Sequence, residues 1–144
     1  MLEQIGRAGA ATGTAIDPVL IHSAEELDAA FPAMEKERPH ALIIQPSLPA
    51  KRAAELALKS RIPAVSFVRG VVEAGALMTY SVAEPDAYRR AAVFVDKIPR
   101  GAKPADLPVE QPTRFELIIN MKTANALGLT ISPAFLARAD EVIE

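Results

Sequence analysis

The side chains best suited to bind a ligand in this sequence are polar groups near the ends of predicted strands. The carboxyl ends of parallel strands meet at one edge of a sheet, and open parallel sheets bind their ligands beyond that edge. Hydroxyl, amide and guanidinium groups collected there would recognise a small polar molecule. Six residues form the predicted ligand-binding set: Gln45, Ser47, Ser66, Arg69, Tyr80 and Ser81.

Arg69 has the most specific chemistry in this set. A guanidinium binds a carboxylate through two parallel hydrogen bonds, so Arg69 is the predicted partner for a carboxylate on the ligand. A second interpretation has equal weight, because binding sites and ordinary loops share this edge of a sheet. In that interpretation Ser47 only caps a helix that begins near Pro49.

Catalytic chemistry is not indicated by the sequence. The chain has no cysteine, which excludes thiolate nucleophiles, disulfides and zinc–cysteine clusters. His22 and His40 have no carboxylate at metal-ligand spacing, and no serine lies in a G-x-S-x-G pattern. Glu73, Glu84 and Asp86 fit ordinary charge at helix N-termini. We therefore predict no catalytic residue, no metal site and no cofactor, and we do not expect an enzyme.

The glycines at positions 6, 9 and 13 invite comparison with a phosphate-binding loop. Such a loop requires a strand before it and a helix N-terminus after it. These glycines instead lie within and just after a predicted helix over residues 2–11. The spacing therefore predicts a simple helix terminus.

The composition limits the class of protein. Hydrophobic residues make up 50% of the 144-residue chain, which predicts one packed domain and not a disordered chain. The net charge is −2 with both signs dispersed, so neither nucleic acid nor an anionic membrane is an expected partner. No segment has the pattern of a membrane span or of a signal peptide, so the chain as written is expected to stay in the cytoplasm.

Strand-like and helix-like segments alternate along the chain and predict a three-layer α/β/α fold with a parallel sheet. The predicted strands are residues 15–22, 41–45, 64–68, 77–80 and 115–120. The predicted helices are residues 2–11, 23–38, 49–60, 86–98, a short helix ending at Gly128, and 132–143. Pro32 should kink or split the second helix. The pattern begins with a helix where such units normally begin with a central strand, so that strand is expected to be missing.

The predicted helix over residues 86–98 carries a broad apolar face with no obvious cover in this chain. Its most exposed part is an apolar stripe: Tyr88, Ala91, Ala92 and Val95. Prolines 99, 104, 108 and 112 follow and predict a stiff extended connector, the strap, over residues 99–113. Because large uncovered apolar patches mark interfaces, the stripe predicts a homodimer, formed by docking or by exchange of the strap and helix.

Three segments carry a family resemblance: VEAGALMTYS, YRRAAVFVDKIPRGAKPADLPVEQPTRFELIINMKTANALGLTI and LARADEVIE. They closely resemble the C-terminal end of ABC-transporter substrate-binding proteins, in the subfamily that includes tryptophan- and aromatic-amino-acid-type binding proteins. A further segment, EELDAAFPAMEKERPHALIIQPS, is similar to the second lobe of the same family. The resemblance covers most of the chain from about Ala15 onward.

The resemblance implies a type I periplasmic-binding fold, in which two α/β lobes close around a small molecule and deliver it to a membrane permease. The implied ligand is a small solute such as an amino acid, and the implied location is the periplasm. Family members are far longer, so this chain is expected to be a truncated second lobe. Its implied parts are an α/β core over residues 1–82, a crossover helix and strap over 83–113, and a returning strand with C-terminal helices over 114–144.

Two other classes of protein fit the residues. A stand-alone flavodoxin-like regulatory domain would bind an effector within one lobe, with its last helices folded back to complete that lobe. A small α/β enzyme would need a coherent catalytic set, which the sequence lacks. The preferred prediction is a non-catalytic solute-binding lobe of an ABC-type uptake transporter.

Overall fold

The computed structural model describes residues 2–46 and 49–144, in which a five-stranded sheet packs against helices. The helices are α1 (Leu2–Thr12), α2 (Ala24–Glu37), α3 (Ala50–Lys59), α4 (Arg69–Glu73), α5 (Glu84–Lys97), α6 (Met121–Leu127) and α7 (Pro133–Leu136). The strands are β1 (Leu42–Ile44), β2 (Ala64–Ser66), β3 (Met78–Val82), β4 (Phe115–Asn120) and β5 (Glu141–Ile143). Within these ranges no helix combines the length and apolarity needed to cross a bilayer.

The strands lie side by side in the order β1-β2-β3-β4-β5. β1, β2 and β3 are parallel, β4 is antiparallel to β3, and β5 is parallel to β4. The predicted α/β class, a mostly parallel sheet flanked by helices, is confirmed. The antiparallel pair arises because the chain leaves the sheet at the end of β3 and returns at the same edge, so β4 must run in the opposite direction.

The core lies on the face of the sheet that is covered by α2, α3 and α4. Ser66 is in register with Ile44 and with Thr79, and Thr79 is in register with Ile118, so these side chains share that face. Helix α3 meets them with three buried alanines, which allow a close approach to the sheet: Ala53, Ala54 and Ala57. On the opposite face Ile43, Tyr80 and Phe115 stay 50%, 60% and 45% exposed.

The predicted strand over residues 15–22 is not formed, and residues 14–22 belong to no helix or strand. A strand is stabilised only by hydrogen bonds to a neighbouring strand. Among the described residues β1 pairs with β2 alone, and residues 14–22 form no ladder with its other edge. Val19 and Leu20 are accordingly 50% and 66% exposed.

Helix α2 is continuous through Pro32, so of the two predicted effects, a kink or a split, the split does not occur. Leu27 and Phe31 lie one turn apart and are only 3% and 4% exposed, and this burial anchors the helix across the proline. The predicted N-cap is confirmed, because the Ser23 side chain accepts a hydrogen bond from the Glu26 backbone N–H at 3.2 Å.

The last segment also differs from the prediction. The Ser132 cap is confirmed, since its side chain accepts from the Phe135 N–H at 3.2 Å, but the helix ends after Leu136. Residues 141–143 form β5 instead. The Asp140 side chain accepts from the Leu117 N–H, and the Asp140 N–H donates to the Leu117 carbonyl, both at 2.9 Å. These bonds align β5 with β4. The free edge of β4 has backbone N–H and C=O groups that would stay unpaired if residues 141–143 were helical.

Asn120, the last residue of β4, has a buried side chain that makes hydrogen bonds in two directions. Its Nδ2 donates to the Val72 carbonyl at 2.8 Å, and its Oδ1 accepts from the Thr123 N–H at 3.0 Å. Thr123 Oγ1 in turn donates to the Gly75 carbonyl at 3.2 Å. The returning part of the chain is thereby tied to α4 and to the turn that precedes β3.

We expect Asn120→Ala to lower the free energy of unfolding by about 1–3 kcal/mol, because it leaves a buried carbonyl and a helix N–H without their partners. Urea denaturation followed by circular dichroism, at one fixed protein concentration, measures the change. Asn125→Ala removes an exposed amide from the same helix and should change stability by less than about 0.5 kcal/mol. Equal losses for the two variants would contradict this account.

Candidate functional site

The candidate site lies at the carboxyl edge of the sheet, where the chain also leaves and re-enters it. Val82 at the end of β3 is in register with Phe115 at the start of β4. The Ala83 N–H donates to the Arg114 carbonyl at 3.1 Å and joins the two segments at the point where the chain leaves and re-enters the sheet. Residues 83–114, which comprise α5 and the strap, therefore project from the same edge that carries the predicted ligand-binding residues.

Five of the six predicted residues lie at this edge or in the strands that end there: Gln45, Ser66, Arg69, Tyr80 and Ser81. The sixth, Ser47, lies outside the described residues. Tyr80 and Ser81 are inside β3 and not at its end. Because consecutive residues of a strand point to opposite faces, Ser81 faces the helices and Tyr80 faces the open side. The edge thus presents two separate surfaces.

Ser66 is the least accessible of the predicted residues. Its side chain is fully buried, and its Oγ donates to the Ile44 carbonyl at 3.2 Å. Gln45 is half-buried directly after β1. The hydroxyl of Ser66 is therefore already used to link β2 to β1, whereas Gln45 lies nearer to the solvent. Their roles in ligand binding stay predictions.

Arg69 is the first residue of α4, and two carboxylates of the chain hold its guanidinium. Its Nη2 and Nη1 donate to the two oxygens of Glu141 at 2.6 and 2.5 Å, and its Nε donates to Glu73 Oε1 at 2.9 Å. These hydrogen bonds raise the pKa of Arg69 and lower the pKa of Glu141 from its ordinary value. A ligand carboxylate would compete with Glu141 for this guanidinium.

Glu141 is not among the predicted site residues, because 72 residues separate it from Arg69. No spacing rule connects two such positions, and their contact depends on the placement of β5 beside β4. The sequence predicts Glu73 only as ordinary charge near a helix terminus. It is in fact one turn after Arg69, at the i,i+4 position that allows the ion pair.

An aromatic pair occupies the open side of the same edge. The rings of Tyr80 and Phe115 are stacked, with centroids 5.5 Å apart and planes inclined by 18°. Both side chains are about half exposed or more. Stacked rings at a solvent-facing edge offer a flat apolar surface to a planar ligand group. Phe115 was not predicted as a site residue, since its pairing with β3 depends on the return of β4.

The glycine-rich segment is a helix terminus, as predicted. Helix α1 ends before Gly13, which has φ of 68°. A Cβ on Gly9 would lie 2.7 Å from the Thr14 carbonyl oxygen, so glycine is needed for the turn that follows. In the ranges that the structure covers, no group of three metal-binding side chains is found.

Helix α5 has one side on the strap and the other side uncovered. Arg90 forms an ion pair with Glu110 of the strap at 2.8 Å, and Phe94 is half-buried on that side. The opposite side carries the apolar stripe, in which Tyr88 and Val95 are 72% and 68% exposed. The stripe is continuous with Asp96 in the last turn of the helix and with Pro99 and Arg100 after it. Its role as an interface stays a prediction.

Comparison with known proteins gives one family and several similar folds. The model of the family described as "ABC transporter substrate binding protein" matches residues 3–143. No curated protein matches the chain.

Three solved structures illustrate the fold. A conserved domain protein from Vibrio cholerae has a TM-score of 0.86 at 23% identity, over 98% of this chain and 49% of its own. An ABC domain in complex with L-Trp from Streptococcus pneumonia has a TM-score of 0.87 at 23% identity, over 99% and 49%. An open, ligand-free substrate-binding protein with adhesive properties from Clostridium difficile has a TM-score of 0.72 at 17% identity, over 99% and 48%. The chain thus spans about half the length of these proteins.

The ion pair between Arg69 and Glu141 generates a pH prediction. Because the pKa of Glu141 is lowered in the folded state, its contribution to stability is present at neutral pH and is lost as the pH falls below about 4.5. The pair is half exposed and screened by solvent, so Glu141→Gln should cost less than about 1 kcal/mol at pH 7.

Urea denaturation at several pH values between neutral and acid checks this prediction. The difference in unfolding free energy between wild type and Glu141→Gln should shrink as the pH falls. Glu144→Gln removes the same charge from an exposed position in the chain and serves as the control. A difference that stays constant across this pH range would show that the ion pair does not stabilise the fold.

Proposed function

We propose that this chain, which belongs to the family of ABC transporter substrate-binding proteins, forms one lobe of a protein that captures a small molecule for an ABC permease. The family match over residues 3–143 is the observation that carries the proposal. The solved relatives are about twice as long, so capture in a cleft would require a second wall. The role in transport and the periplasmic location belong to the same proposal.

The proposed ligand is an amino acid or a similar molecule with an aromatic part. One relative of the same fold was solved in complex with L-Trp. In this chain the stacked rings of Tyr80 and Phe115 would receive a planar group. Gln45 directly follows β1 at the same edge and would supply a polar contact, and Ser81 would supply another from the opposite face of β3. No step of the proposal requires catalysis, since the family consists of binding proteins.

The proposed partners follow from the same surfaces. The small molecule would contact the carboxyl edge, the permease would contact the assembled binding protein, and a second copy of the chain would contact the stripe of α5. Nucleic acid is not a proposed partner, because the net charge is −2 with no basic cluster.

Titration with L-tryptophan, followed by NMR chemical shifts or calorimetry, tests the proposed function. With one wall present we expect weak saturable binding, with Kd on the order of 1 mM. Tyr80→Ala should weaken it about fivefold, since loss of a stacking surface costs about 1 kcal/mol. Val109→Ala changes a residue of the strap that is 99% exposed, and it should leave Kd unchanged.

Two results would contradict the proposal. The first is the absence of saturable binding for L-tryptophan and for every other standard amino acid. The second is binding that Tyr80→Ala and Val109→Ala affect equally. Tight binding by a monomer, with Kd on the order of 1 µM, would favour a stand-alone effector-binding domain in place of a lobe with a missing wall.

A further inference from the structure

Arg69 and Glu141 form a contact in which two nitrogens of a guanidinium meet both oxygens of one carboxylate. Arg90, by contrast, directs its Nε and Nη2 at a single oxygen of Glu110. Two parallel hydrogen bonds are the geometry by which an arginine recognises a free carboxylate. Glu141 therefore occupies the position on Arg69 that the carboxylate of a ligand would take.

Both binding edges of the Arg69 guanidinium are in use. A planar guanidinium has two edges that can each hold one carboxylate, the Nη1–Nη2 edge and the Nε–Nη2 edge. Glu141 occupies the first edge at 2.5 and 2.6 Å, and Glu73 accepts from Nε on the second edge at 2.9 Å. A ligand carboxylate can therefore bind this guanidinium through two hydrogen bonds only by displacing one of the two side chains.

The two glutamates hold Arg69 in different ways. Glu73 lies on the same helix at the i,i+4 position, so it moves together with Arg69. Glu141 belongs to β5, and its side chain is 41% exposed, so it can turn toward the solvent while the backbone of β5 stays paired with β4. An exposed ion pair contributes little to stability. Glu141 is therefore the side chain that a ligand would displace, and Glu73 would keep the guanidinium in place.

We propose that Glu141 is a specificity-determining residue, which competes with the ligand for Arg69 and thereby weakens the binding of molecules that carry a carboxylate. This proposal rests on the proposed function, because it requires a ligand at the carboxyl edge of the sheet. Arg69 and Glu141 both belong to this lobe, so the competition is present with or without a second wall of the cleft. Glu73 acts through Arg69 and is a positioning residue.

NMR titrations with L-tryptophan and with L-tryptophanamide, which has an amide in place of the carboxylate, test the proposal. Glu141→Gln should bind L-tryptophan about threefold more tightly than wild type, because an exposed ion pair competes by about that factor. It should not bind L-tryptophanamide more tightly. Glu144→Gln removes the same charge from the exposed residue that follows β5, and it should leave both affinities unchanged.

A double variant, Arg69→Gln with Glu141→Gln, tests whether the gain in affinity depends on the guanidinium. It should lose the threefold gain for L-tryptophan that Glu141→Gln shows alone. Urea unfolding curves establish that every variant is folded at the concentrations used. A gain that persists without Arg69, or equal gains for L-tryptophan and L-tryptophanamide, would mean that Glu141 acts on the site in general, and the proposal would be wrong.

Failure of this proposal and failure of the proposed function give different results. If wild type binds L-tryptophan and Glu141→Gln binds it no more tightly, Glu141 does not compete with the ligand and only this proposal is overturned. An equal gain in Glu144→Gln also overturns it, since the loss of any negative charge nearby would then explain the effect. If neither wild type nor Glu141→Gln binds any standard amino acid, the proposed function fails and this proposal fails with it.

Discussion

The hydrogen bonds of the buried Asn120 side chain hold the returning part of the chain to the lobe. Residues 83–114 leave the sheet as a long excursion, and the ends of such an excursion must be brought together against chain entropy. The five register pairs between β3 and β4 supply part of the required stabilisation. The Asn120 side chain adds to this stabilisation by donating to the Val72 carbonyl and by capping α6. The β3–β4 pairing and the Asn120 hydrogen bonds together position the elements that follow the strap.

The candidate ligand site depends on the same junction. Phe115 stacks on Tyr80 only because β4 pairs with β3. Glu141 reaches Arg69 only because β5 pairs with β4. The residues that shape the carboxyl edge therefore come from parts of the chain separated by the whole excursion. A change that displaces β4 would alter the aromatic surface and the environment of the guanidinium together.

The excursion itself contributes little to the core of the lobe. Helix α5 has no buried residue, and its contacts are with the strap that it precedes. Elements with few buried apolar contacts are the ones that a protein can dedicate to a partner without loss of its own stability. The carboxyl-edge residues thus belong to the lobe, whereas residues 83–114 carry an apolar surface away from the sheet.

Interactions within a few residues allowed much of the fold to be predicted from the sequence. The caps at Ser23 and Ser132, the helix end at Gly13 and the alternation of strands with helices all depend on local spacing and appeared as expected. The six candidate site residues followed from the rule for parallel sheets, which locates an edge but not the neighbours of each side chain.

The sequence by itself therefore determined the α/β class, most helix and strand positions and the lack of a catalytic motif, since composition, caps and periodicity are local properties. Only the tertiary structure decided the rest. Residues 15–22 form no strand because no neighbour pairs with them, residues 141–143 form one because β4 offers its edge, and Arg69 is engaged because β5 brings Glu141 beside it. Each of these outcomes depends on hydrogen bonds between distant segments, and the sequence of one segment cannot specify the position of the other.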